Sequence, residues 1–333
     1  MGLALSCVLI LGSGNVNAAP ISSGAPRASL LVTGLQGGSG STVGPDGALY
    51  VPETVAGRIS RVDPKTGTVT TFASGLPKQL AVLGIGGVMD VAFIGHTAYA
   101  LVTLVGSDWG GSDIVGIYRV DGPHSFTVIA DIGAWASDPQ HLPPGYPNGY
   151  DTITGVQYAM QPYRNGFLVT DAHHNRVLKV GLDGSITQLI QFGDIVPTGL
   201  ALRGNTIYVA EAGPIPHLPQ YGKIVSFNEK SPTLTQVASG APLLVDVEFG
   251  LGRSLYGLSQ GPHTINVGEG TPADPDSGSL VKVNSDGTFT VIADRLNLPT
   301  SMEFIGNTAY VVTLGGEIWK IDDVSEPPHG GPH

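Results

Sequence analysis

At 333 residues with 41% apolar side chains, the chain can bury a sizeable core, while 48 glycines, 25 prolines and only 13% charged residues favour many short strands over long amphipathic helices. A net charge of −11 and an isoelectric point near 5.1 exclude the Lys/Arg-rich faces that nucleic acids and anionic membranes select. A neutral or cationic partner is the better electrostatic match.

The first element is an export segment, residues 1–24. It holds an apolar run from Leu3 to Leu11, and Val16-Asn17-Ala18 before Ala19 has the small-residue pattern of a signal-peptidase site, although the usual basic residues before the run are missing. The sequence therefore predicts a secreted or periplasmic protein. Cys7 is the only cysteine, so a cleaved chain would have neither disulfides nor thiolate metal ligands. No later apolar run is long enough to span a bilayer.

From residue 25 the chain is repetitive. After "ASLLVTGL" at 28–35, a strand of one character recurs six times: "DGALYVPE" at 46–53, "GHTAYALV" at 95–102, "NGFLVTDA" at 165–172, "GNTIYVAEA" at 204–212, "GRSLYGLS" at 252–259 and "GNTAYVVT" at 306–313. Spacings of this size match the blade length of β-propellers with loop insertions. Five copies follow an apolar strand such as "VMDVAF" at 88–93 or "LVDVEF" at 244–249, and each precedes a third strand such as "NRVLKVGLDG" or "GKIVSFN". A fourth strand such as "FTVIADRL" completes the unit, with Asp-Gly and Asn-Gly turns where tight hairpins need positive φ. The sixth unit stops after its third strand at Ile321-Asp322, and the segment at 28–35 has the right character to supply the missing one. The prediction is an all-β, six-bladed propeller over residues 25–323, closed by its N-terminal strand, with a disordered Pro/Gly/His tail at 324–333. The first blade lacks a regular innermost strand, so that strand should be irregular.

The units "VPTGLALRGNTIYVAEAG", "GKIVSFN" and "DGTFTVIADRLNLPTSMEF", with the insertion "GAWASDPQHLPPGYPNGYDTITGVQYAM", resemble the ScyD/ScyE family. Its members are exported six-bladed propellers related to NHL-repeat proteins and named for the scytonemin pigment gene cluster. The resemblance implies the blade layout and a place near secondary-metabolite processing. It implies no catalytic residue set.

Antiparallel blades bring the starts of first strands and the ends of second strands to one face, around one mouth of the central channel. The insertions at 104–115, 131–152, 212–222 and 259–278 fall on that face, which is therefore the expected site. There, "DAHHNRV" at 171–177 is either a polar turn braced by its acid and asparagine, or a general acid or base built from Asp171, His173 and His174. A metal reading of the histidines would need further ligands such as Glu211 and His263. Asp90 and Asp246 occupy matching positions in the second and fifth blades; they are read either as strand caps or as oxygen ligands for Ca²⁺ or another divalent cation. Glu53, Thr154, Thr198, Glu211, Gln260 and His263 are candidate ligand contacts, as are Trp135, Tyr146 and Tyr150 in the long insertion, where they could form an aromatic lid.

The sequence thus predicts a monomer that binds a small neutral or cationic ligand, or a protein partner, at the mouth. The alternative is a metal-assisted hydrolase or lyase of a lactone, glycoside or aromatic metabolite acting at the same place. Gluconolactonase-type propellers place asparagines at first-strand starts; here Thr154 and Thr198 stand instead.

Overall fold

The computed structural model describes residues 28–143, 152–265 and 271–324. The described chain forms six four-stranded antiparallel sheets in a ring, the first five each running from an innermost strand outward in chain order. Alternation dictates this arrangement. In the second strand of blade 1 (Leu49–Glu53), Leu49 and Val51 pack toward blade 6 while Tyr50 packs toward blade 2; in blade 3 (Gly166–Asp171), Phe167 and Val169 face blade 2 while Leu168 faces blade 4. Buried apolar residues accordingly form six clusters, one between each pair of adjacent blades. Aromatic rings tighten some of them, as where Tyr50 meets Phe93 edge-on at 4.8 Å between ring centres.

The ring closes as the repeat requires. Ala28–Val32 pairs antiparallel with Ile318–Ile321 and becomes the outer strand of blade 6, with Ala28 opposite Ile321. This removes the free edge that would otherwise invite pairing with another chain. The innermost strand of blade 1 is reduced to Thr42–Val43, the irregularity its sequence predicts. The one α-helix among the described residues, Ile132–Ser137, is a short turn in the 131–152 insertion, capped by Asp131 accepting from the Ala134 N–H at 2.8 Å. No described helix is long and apolar enough to cross a membrane. Val324 is buried, and its carbonyl accepts from the Tyr256 hydroxyl at 3.2 Å, so the packed chain extends one residue past the predicted boundary at 323. The export segment and the tail beyond Val324 lie outside the described residues.

Two backbone features shape the mouth. The innermost strands of blades 2 to 6 all shift register near their starts, for example between Val88 and Asp90 and between Leu244 and Asp246. Such a bulge turns the following side chains relative to the alternation expected from sequence. Before the innermost strands of blades 4, 5 and 6 stand Val196, Leu243 and Leu298, with φ of 53°, 43° and 49°. The left-handed region costs a bulky residue about 1–3 kcal/mol, and such strain collects at functional sites.

Candidate functional site

All six blades contribute to a cavity of about 510 Å³ at the channel mouth. Its wall is mainly aliphatic, with Met89, Val156, Val196, Leu243, Val245 and Leu314 among the side chains, and two strained residues, Val196 and Leu243, are part of it. Polar side chains interrupt it, among them Thr54, Tyr158, His173, Thr198, His217 and Gln260. Among the described residues no Lys or Arg lines the cavity, and Asp194 is the one carboxylate that does. A largely apolar pocket of this volume with a few polar groups is the usual form of a small-molecule site.

Of the predicted residues, His173, Thr198 and Gln260 line this cavity. The 212–222 and 259–278 insertions contribute wall residues, Pro214, Ile215 and His217 from the first and Gln260, Thr271 and Pro272 from the second. The described part of 131–152 does not. Trp135 instead stacks on His141, 4.1 Å between ring centres, beside a separate hollow of about 470 Å³ formed with Pro143 and Thr187. Trp135 is therefore not a lid residue of the mouth. Tyr146 and Tyr150 lie outside the described residues.

The histidine turn is mostly structural. Asp171, His174 and Arg176 are fully buried. His174 Nδ1 donates to Asp171 Oδ2 at 2.8 Å, and Arg176 Nε donates to the same oxygen at 3.0 Å. The other Asp171 oxygen accepts from the Val156 and His174 N–H groups at 3.1 and 3.3 Å. Burial raises the Asp171 carboxyl pKa, but the charges and hydrogen bonds of His174 and Arg176 outweigh it and hold the group below its usual range. Arg176 also lies 4.9 Å from the centre of the Trp135 ring, so the network runs outward from the cavity wall. Asp171 and His174 are engaged with each other and with Arg176 and do not line the cavity; of the three predicted residues, only His173 does. Asn175 accepts from the Ile195 and Val196 N–H groups at 2.9 and 2.8 Å and so holds the strained Val196 in place.

Glu53 repeats the Asp171 arrangement. It takes two bonds of 2.7 Å from Arg58, and also accepts from the Ser60 hydroxyl and the Gln36 N–H, which together hold its carboxyl below the usual range despite burial. Glu53 faces Arg58 and Asp171 faces Arg176 directly across their hairpins, and Glu211 faces Lys223 in the same way in blade 4. Glu211 and Lys223 nevertheless form no ion pair, and burial pushes Glu211 up to about 7 against the pull of the Lys223 charge. Neither Glu53 nor Glu211 lines the cavity, which corrects their assignment as ligand contacts. Thr154 is likewise engaged elsewhere, its hydroxyl donating to Asp108 at 2.7 Å.

Asp90 and Asp246 lie deeper, in the channel. Each accepts from the next residue's N–H, Val91 or Val247, at 2.8 Å. The second oxygen accepts from the innermost strand of the following blade, at Met160 N–H (2.8 Å) for Asp90 and Met302 N–H (2.7 Å) for Asp246. On the other side each presses on a glycine of the preceding blade. A side-chain carbon at Gly40 would come within 2.0 Å of Asp90 Oδ1, and one at Gly199 within 2.3 Å of Asp246 Oδ1. The two acids thus latch blades 1-2-3 and 4-5-6 in the same way. Burial without a cation pushes them up to about 8 and about 7. Among the described residues, no three of His, Cys, Asp and Glu form a group that could hold a metal ion. Asp90 and Asp246 in particular sit on opposite blades with every oxygen engaged, which does not fit the divalent site expected of them.

Sequence reasoning missed His217 and Tyr158. His217 Nδ1 donates to the Gly213 carbonyl at 2.6 Å, which leaves Nε2 as the acceptor of a ring that burial holds neutral. Its signal was a histidine among Pro214, Pro216 and Pro219, a stretch too rigid for an idle loop. His263 stands behind it, edge-on at 5.1 Å, and does not line the cavity. Burial and the neighbouring His174 push His173 down to about 4, so it too is neutral. Tyr158 sits at the cavity floor, its hydroxyl 3.4 Å from the Thr300 carbonyl.

No protein-family model and no curated sequence matches the chain. Many solved structures do. A gluconolactonase from Xanthomonas campestris superposes with a TM-score of 0.60 at 14% identity, over 89% of this chain and 89% of that one. A catalytically inactive histidine-to-alanine variant of virginiamycin B lyase from Staphylococcus aureus, with quinupristin, gives 0.53 at 15% identity over 89% and 99%. A chain of a nidogen/laminin complex gives 0.53 at 15% identity over 80% and 84%. At such identities the likeness is one of fold, and it reaches a lactonase, a lyase and a protein-binding module alike.

Proposed function

We propose that this propeller is an exported binding protein that takes a small, largely apolar, neutral or cationic compound into the mouth cavity. The observation that carries this reading is the cavity itself: about 510 Å³, more apolar than polar, free of Lys and Arg among the described residues, and set with uncharged polar groups from several blades. Its polar groups suit orientation more than chemistry, since Tyr158, Thr198 and Gln260 bond weakly or to backbone and the histidines are neutral. The sequence resemblance to ScyD/ScyE proteins is in keeping with an accessory role near secondary-metabolite processing.

One observation favours a second reading. His173 lines the cavity as a neutral imidazole, able to accept a proton from a bound compound, and neighbours of this fold include a lyase and a lactonase. The two readings separate in one experiment. The protein is incubated with a panel of apolar lactones and amphiphiles, and complexes and products are followed by calorimetry and mass spectrometry. Unchanged compound bound by the parent, and not by a Val156→Trp variant with a filled cavity, is the expected result. A product heavier by one water would establish a lactone hydrolase, and an isomer of unchanged mass a lyase. Equal binding to parent and variant would overturn the mouth as the site.

A further inference from the structure

Beneath the mouth cavity lies a second compartment of about 20 Å³, room for one water-sized group. Val245, Thr300 and Tyr158 line both, so the small compartment is the floor of the large one. Its chemistry is lopsided. Asp90 from blade 2, Asp246 and Glu248 from blade 5, and Glu303 from blade 6 line it, with no Lys, Arg or His among the described residues facing it. The remaining polar groups are the Gln161 amide, Tyr158, Thr300, and Ser41 and Ser301, whose hydroxyls bond each other.

Counting donors against acceptors shows what is missing. Asp90 and Asp246 receive backbone N–H groups, as above. Glu248 receives only long contacts, 3.3 Å from Gln161 Nε2 and 3.3 Å from the Phe249 N–H. Glu303 receives no hydrogen bond from the described residues, and burial, with the neighbouring Asp246 and Asp90, pushes it well above its usual range. With no cation beside them, burial favours the protonated form of Glu248 and Glu303; an ammonium group brings three donors and a positive charge in a water-sized volume, and beside it both could ionise and accept. Above it the wall is aliphatic, suited to an apolar body.

We infer that the compound bound at the mouth is a primary amine, its apolar body in the large cavity and its ammonium seated below Tyr158 between Glu303 and Glu248. This rests on the binding reading above and specifies the ligand's charged group. Anions are repelled, and the size of the seat admits –NH₃⁺ but not a trimethylammonium.

The test uses four probes with one apolar body: 4-phenylbutylamine, its N,N,N-trimethyl derivative, 4-phenylbutan-1-ol and 4-phenylbutyrate, titrated calorimetrically into the full-length protein. The amine should bind about tenfold or more tightly than the alcohol, the margin of a charge-assisted hydrogen bond, with the trimethyl compound and the carboxylate no tighter than the alcohol. Replacing both acids, Glu248→Gln with Glu303→Gln, should remove the amine's advantage and leave alcohol binding intact, which also reports that the variant is folded. The parent's rank order needs no variant. Equal binding of amine and alcohol, or tightest binding of the carboxylate, overturns the inference and leaves the binding reading standing. Thermal stabilisation by sodium or calcium chloride without preference among the organic probes overturns it in favour of an inorganic ion. Failure of all four probes to bind removes both readings.

Discussion

Two sets of buried acids near the mouth behave in opposite ways. Glu53 and Asp171, in the wall, have an arginine directly across the hairpin and ionise more readily than a free carboxyl. Asp90 and Asp246, in the channel, have backbone N–H partners and no cation, and burial pushes them up to about 8 and about 7. An acid for which the chain supplies its own cation is part of the frame. Acids left without one answer burial by keeping their protons.

The largest effect should come from breaking a wall pair. Arg176→Ala strands Asp171 in the interior and should cost about 3–5 kcal/mol in urea unfolding, whereas a cost below about 1 kcal/mol would show that the wall network is not structural.

The pH dependence of the two sets should differ in sign. The folded pKa of Asp171 lies below its unfolded value, so its contribution is complete above about pH 4 and fades as pH falls further. Asp171→Asn should therefore be destabilising at pH 7, with the gap to the parent narrowing in acid. Asp90 and Asp246 have folded values above their unfolded ones, so the parent loses stability as pH rises from about 4 toward 7 and 8. Thermal melts of Asp90→Asn should therefore gain on the parent between pH 5 and pH 9. Parallel melting curves would contradict the contrast.

A smaller effect is expected in the lining. Val156→Trp should change stability by less than about 2 kcal/mol, because the ring fills empty volume, and yet abolish probe binding. Loss of stability without loss of binding would place the ligand elsewhere.

The fold was legible because the blade signature repeats: six copies of an aromatic-bearing strand, and a last unit one strand short whose complement stands at 28–35. The site was half legible. Loop position pointed to the mouth, where His173, Thr198 and Gln260 line the cavity. The wall pairs could also have been read, since Glu53 to Arg58 and Asp171 to Arg176 share a five-residue spacing across a hairpin. Tyr158, Glu248 and Glu303 could not. They lie on innermost strands after a register shift, and strict alternation does not say which side chains then face the channel. Trp135 misled because an aromatic in a long insertion reads alike whether it turns to the mouth or, as here, outward onto His141 and Arg176.

The most direct test of the account is a crystal structure of the protein grown with 4-phenylbutylamine. Density for the phenyl group between Val156 and Leu243, with the amine below Tyr158 and within hydrogen-bond reach of Glu303, is the predicted result. Density at the outer hollow beside Trp135, or a mouth cavity holding only water at saturating amine, would contradict it.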